Sequence, residues 1–255
     1  MPVRATVKGW NLPSVAWLSE KKRIRWLSRR GGEIPQGVLP TVDRPQSFNL
    51  EVTDPDGRGG EDYFEFEVHT PQTLQHLLET SGAVLGRGIL VVVEEYDPER
   101  VAEAMRPLVE SVEGRSWEEV AFRVGSLGPW EFEGWKWYPE EEALRPDPGV
   151  VEAEVREVRL LRTAIGDSFD LPIEVRFGAV GREEVVTVPL LLQSPLWVRN
   201  HVAPGGILLG SGRVFSLRPD AEMISSVLAA ASPVARAPTW DLLRLSLHPL
   251  EARST

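Results

Sequence analysis

Three groups of carboxylates have the residue types and spacing to do chemistry: Glu65 with Glu67, Glu94 and Glu95 with Asp97, and Glu131 with Glu133. Paired carboxylates serve as acid and base in glycoside hydrolysis, and a cluster of three can hold Mg²⁺ or Ca²⁺ for metal-assisted hydrolysis. The Glu94–Asp97 cluster is the candidate for the second chemistry. A row of carboxylates also suits a different task, since it repels itself until something cationic answers it, and a basic protein surface does this as well as a metal. Other chemistry finds little support. The four histidines, His69, His76, His201 and His248, form no H-E-x-x-H pair, and there is no cysteine to act as a nucleophile or thiolate ligand. The chain has no G-x-S-x-G elbow and no Walker loop. "GRGGE" from Gly57 and "GSGR" from Gly210 lie between or beside strand-like segments, where glycines read as turns or bulges rather than phosphate cradles.

The elements that carry these acids follow from periodicity. In "YFEFEV", side chains two apart share a strand face, so Glu65 and Glu67 stand together while Phe64, Phe66 and Val68 face the other way. The alternation in "ATVKGW", "SFNLEV" and "YFEFEV" predicts three consecutive strands of an antiparallel meander. Thr70-Pro71 supplies a cap and an N1 proline for a helix with Leu74, Leu77 and Leu78 on one face. "ILVVV" reads as a buried central strand by its length and β-branching. Asp97-Pro98 opens a second helix with Val101, Met105, Leu108 and Val109 inward, and Ser116 opens a third with Trp117, Val120 and Val124 inward. "WEFEGWKWY" is predicted to close the unit as a strand. The grammar predicts an α+β fold, a mainly antiparallel sheet with helices packed on one face.

The same order of segments recurs. "VRATVKGWNL" lines up with "VEAEVREVRL" at Val151, "SFNLEV" from Ser47 with "SFDLPIEV" from Ser168, and Pro71 with Pro195. "RGILVVVEEYDPE" pairs with "GGILLGSGRVFSLRPD", and "SWEEVAFRV" at 116–124 with "TWDLLRLSL" at 239–247. The reading is two tandem related domains, 1–138 and 150–255, joined by the acidic, proline-bearing stretch 139–149, with the second a degenerate copy of the first. The insert 13–46 has no counterpart; Trp17, Ile24 and Leu27 fit a helix, while "RIRWL" also alternates like a strand.

Charge separates the halves. Residues 1–149 carry 17 Lys and Arg against 26 Asp and Glu, whereas residues 150–255 carry 11 against 12. Within the first, 47–149 hold 8 basic and 23 acidic residues. A field of that sign repels nucleic acid and anionic membranes and speeds encounter with basic proteins. The N-terminus has no apolar core of signal-peptide length and no run approaches a membrane span, so a cytoplasmic protein is expected.

With these segments assembled, the first half resembles the immunity protein 8 family of bacterial polymorphic toxin systems. The resemblance rests on "SFNLEV" with its following Gly-bearing turn, "DYFEFEVHTPQTL", "GRGILVVVEEYDPE", "SWEEVAFRV" and "GPWEFEGW", covering most of residues 40–135. It implies a small cytoplasmic, non-enzymatic protein that binds and neutralises a cognate toxin, with no catalytic residue and no cofactor. An acidic surface would then occlude a basic, nuclease-like cleft, with buried aromatics anchoring it. The candidate partner-binding residues are Glu94, Glu95, Asp97, Glu131 and Glu133, with Tyr96, Trp130 and Trp135. The competing readings are a metal-dependent hydrolase using Glu94, Glu95 and Asp97, and a tandem structural binding module.

Overall fold

The computed structural model describes residues 3–13, 26–28, 45–54, 61–93, 97–133, 135–138, 143–146, 149–163, 166–230 and 234–249. The first half runs β1 (Val3–Arg4), β2 (Thr6–Pro13), β3 (Trp26–Ser28), β4 (Gln46–Thr53), β5 (Glu61–His69), α1 (Pro71–Ser81), β6 (Ala83–Leu85), β7 (Ile89–Val92), α2 (Pro98–Glu110), β8 (Glu113–Gly114) and α3 (Trp117–Val124). A hairpin follows, β9 (Trp135–Tyr138) with β10 (Ala143–Pro146). The second half runs β11 (Val151–Leu160), β12 (Asp170–Ala179), β13 (Val185–Gln193), α4 (Pro195–His201), β14 (Ile207–Leu209), β15 (Arg213–Ser216), α5 (Ala221–Ala230), β16 (Ala235–Ala237) and α6 (Trp240–Leu247). The fold is α+β.

The helix starts form as their local chemistry dictates. The Thr70 side chain accepts from the Thr73 N–H while the Thr73 hydroxyl accepts from the Thr70 N–H, a closed capping box ahead of Pro71. Asp97 accepts from Glu99 N–H, Ser116 from Glu119 N–H, Ser194 from Trp197 N–H and Thr239 from Leu242 N–H.

Two six-stranded sheets dominate. Their strand orders are β14-β7-β5-β4-β2-β3 and β16-β11-β12-β13-β15-β6. The meander β2-β4-β5 is antiparallel as predicted, and β7 runs parallel to β5 after the α1 crossover. Neither sheet belongs to one half alone: β6 closes the second sheet beside β15, and β14 closes the first beside β7. One core lies under α2 and α3, where Phe48, Leu50, Phe64, Phe66, Leu90 and Val92 meet Val101, Met105 and Val120. Because strand side chains alternate, Ile89, Val91 and Val93 face the other way, and there Leu74 and Leu78 of α1 and Val198 of α4 bury them together with Phe215. Thus β7 is covered on both faces, which its unbroken apolar run requires.

Three details differ from the sequence reading. Phe48 pairs with Phe66 and Ile173 with Leu190, so the counterpart of Phe48 by sheet position is Ile173 rather than Phe169. A slip of four residues, being even, keeps the same face inward, which is why similarity of letters could not detect it. "WEFEGWKWY" is not one strand, since Trp130 makes a lone bridge to Phe64, residues 131–133 turn, and a strand resumes at Trp135. The stretch 139–149 is also not bare linker, since β10 lies in it and pairs back onto β9. Of the insert 13–46, β3 beside β2 is described, while Trp17 and Ile24 lie outside the described residues.

Candidate partner-binding face

The β5 row is the centre of the candidate site. Phe64, Phe66 and Val68 are buried, and Glu65 and Glu67 are exposed on the opposite face, with Tyr63 half-buried in the same row. Pairing with β4 on one side and β7 on the other fixes this orientation, because turning the strand over would bury both acids and expose both phenylalanines. The Glu67 side chain is 63% exposed, and one oxygen lies 3.3 Å from Nε2 of the buried His69. That hydrogen bond holds the Glu67 carboxyl below its ordinary pKa.

Glu131 extends the acidic row. The backbone around Trp130 runs antiparallel to β5, with Glu65 N–H donating to Pro129 O and Glu131 N–H to Tyr63 O. Tyr63 N–H in turn donates to Glu131 Oε1 at 2.7 Å. Burial raises the Glu131 carboxyl to about 7; the Tyr63 N–H opposes the rise, and the charges of Asp62 and Glu65 add to it. Asp62 is raised as well, chiefly by burial, although the indole N–H of Trp117 donates to its carboxylate and stabilises the charge. Three carboxyl groups therefore meet at one end of β5.

A pH prediction follows from Glu131. Between its ordinary 4.5 and about 7, the folded chain holds a proton here that the unfolded chain has released, so this group's contribution to stability falls as pH rises through that window. Glu131→Gln keeps an acceptor for Tyr63 N–H and removes the titration. The variant's melting temperature is expected to pull ahead of the parent's as pH rises from 4.5 to 7, and a gap independent of pH would show that Glu131 titrates normally.

The eight proposed partner-binding residues have different fates. Glu131 stands in the acidic row, as described. Glu133, two residues on, is turned inward: Arg87 Nη1 and Nη2 donate to its two oxygens at 3.1 and 2.5 Å, and Arg236 N–H donates to Oε1 at 2.6 Å. Arg87 also donates to Gly125 O and Val234 O, so this ion pair ties the first half to the second. Trp130 packs edge-on to Phe122 and Phe132, with ring centroids 5.4 and 5.7 Å away, and touches both main cores. Asp97 spends its carboxylate capping α2. Glu94, Glu95 and Tyr96 lie outside the described residues, as does the side chain of Trp135. Of the four whose side chains are described, only Glu131 stands in the acidic row, so these four do not form one cluster. Among the described residues no group of three or more His, Asp or Glu is placed to hold a metal ion.

The second sheet offers a contrast on its matching face. There Arg159 faces Glu174 at 3.7 Å and Arg176 faces Glu157 at 4.0 Å, each pair directly opposed across β11 and β12. By sheet position Pro189 and Leu191 stand where Glu65 and Glu67 stand. The open acidic row is a property of the first sheet.

The first sheet of this α+β protein thus presents Glu65 and Glu67 as exposed carboxylates. Residues 43–135, from the segment leading into β4 to the first residue of β9, match the family described as Immunity protein 8. No curated protein and no solved structure matches the chain. No described helix is long and apolar enough to cross a membrane.

Proposed function

We propose that this protein is an immunity protein that binds a cognate toxin and holds it inactive, without catalysis. The match of residues 43–135 to Immunity protein 8 is the observation that carries this reading, because that segment contains β4, β5, α1, β7, α2 and α3, the whole frame of the acidic row. Glu65, Glu67 and Glu131 are the contact residues the geometry favours, since their carboxylates are not consumed by a Lys or Arg among the described residues. Glu133 and Trp130 serve the interior instead. The partner is a toxin domain with a basic cleft of the nuclease kind, which the field of residues 47–149 draws in and the row then occludes.

The test pairs this chain with a candidate toxin domain taken from an adjacent reading frame. Co-expression of the parent chain is expected to rescue cells from it, and the purified pair to associate. The double charge reversal Glu65→Lys with Glu67→Lys is expected to weaken association by about 100-fold, on the order of 1.4 kcal/mol for each reversed charge, mainly through slower association and with a shallower salt dependence. Parent-like affinity in that variant would remove the acidic row from the mechanism. Absence of any binding or protection by the parent chain would remove the immunity reading.

A further inference from the structure

We propose that the second half of the chain occupies the place of a second copy of the first, so that the protein is a fused dimer whose pairing surface is β6 and β7 against β14 and β15. The exchanged strands obey one rule of register. Leu85 pairs with Val214, Val84 with Phe215 and Ala83 with Ser216; adding 124 to each first-half number and subtracting it from each second-half number yields Leu209 with Leu90, Leu208 with Val91 and Ile207 with Val92, the pairs of the other exchange.

The hydrogen bonds obey it too. Gly86 N–H donates to Arg213 O at 2.9 Å and Gly210 N–H to Ile89 O at 2.8 Å. Glu67 N–H donates to Gly88 O at 2.7 Å and Leu191 N–H to Gly212 O at 2.9 Å. In an isologous interface residue i meets j while j meets i, and elements on the axis meet their own equivalents. Three such self-contacts are present: α1 against α4, α3 against α6, and Gly86 against Gly210. At the last, a Cβ on either glycine would stand 2.2 Å from the other's carbonyl oxygen, so both positions require glycine for the same reason.

A surface of this kind fits a partner of the same fold, and here the chain supplies that partner itself. The intact chain is therefore a monomer with its pairing edges already used. It also presents one acidic face where a true dimer would present two, because the second sheet's matching face is neutralised by Arg159–Glu174 and Arg176–Glu157.

The test uses the full chain with a protease site inserted between Tyr138 and Ala143, purified intact and then cut. Light scattering after size exclusion is expected to show a monomer before cutting, and the two pieces still together at the same mass afterwards at micromolar concentration. Gly86→Val and Gly210→Val, each introduced in the cleavable chain, are expected to lose that association to a similar extent, and the double variant to lose no more than either single one, since both act at one contact. Separation of the cut parent halves, an intact chain that is itself a dimer, or tolerance of valine at one glycine alone would overturn the proposal. The cut parent protein decides by itself where a valine variant does not fold.

Discussion

Arg87→Ala is expected to destabilise the protein by about 3–5 kcal/mol, because it strands a buried carboxylate. The Arg87 and Glu133 side chains are 9% and 11% exposed, and their oxygens and nitrogens are bonded on several sides. Arg87 Nε donates to Gly125 O at 2.6 Å and Nη1 to Val234 O at 3.1 Å, so the guanidinium also satisfies carbonyls that water cannot reach freely. Among the described residues, removing the arginine leaves Glu133 with the Arg236 N–H alone, and removing the glutamate leaves that N–H and a cation unanswered. Glu133→Ala should therefore cost a similar amount, and the double replacement Arg87→Met with Glu133→Leu should cost much less than either single change. Urea unfolding monitored by tryptophan fluorescence measures all three. Additive losses in the double variant would show that the two side chains do not act as a pair.

Phe215→Ala is expected to cost about 3–5 kcal/mol and to do so without splitting the unfolding transition. Phe215 is 0% exposed and belongs by sequence to the second half, yet its cluster contains Leu74, Leu78, Ile89, Val91 and Val93 of the first. Its strand, β15, is bordered by β13 on one side and by β6 of the first half on the other. A cavity there removes contacts from both halves at once, and the exchanged strands deny either half a complete sheet when the other unfolds. A single calorimetric transition is expected in the parent and in the variant, with the variant's midpoint lowered. Two resolved transitions in the parent would show that the halves fold independently in spite of the exchange.

Much of the first half was legible because its signals are local. The Thr70-Pro71, Asp97-Pro98 and Ser116 starts each cap a helix within three residues of chain, and the structure has helices at Pro71–Ser81, Pro98–Glu110 and Trp117–Val124. The alternation of "YFEFEV" placed Phe64 and Phe66 inside and Glu65 and Glu67 outside. The candidate site was less legible. Glu131 and Glu133 look alike on the chain, two residues apart on what reads as one strand, yet one lies against the Tyr63 N–H beside two other acids and the other is clamped by Arg87, 46 residues away in sequence. Nothing within a few residues of either distinguishes them.

The sequence by itself determined the class of fold, the meander and capped helices of the first half and which face of β5 is acidic, because helix caps, proline positions and the two-residue period of a strand act between near neighbours. Tertiary structure alone decided where the three-residue strands β6 and β14 belong. Each is too short to carry a pattern, and each pairs with the half it is not part of, through edges that exist only once both sheets have formed. The same holds for the acids, whose charge state and availability depend on burial and on cations brought from distant segments. A carboxylate's letter in the sequence records its chemistry, and the packing around it decides whether that chemistry faces a partner or the core.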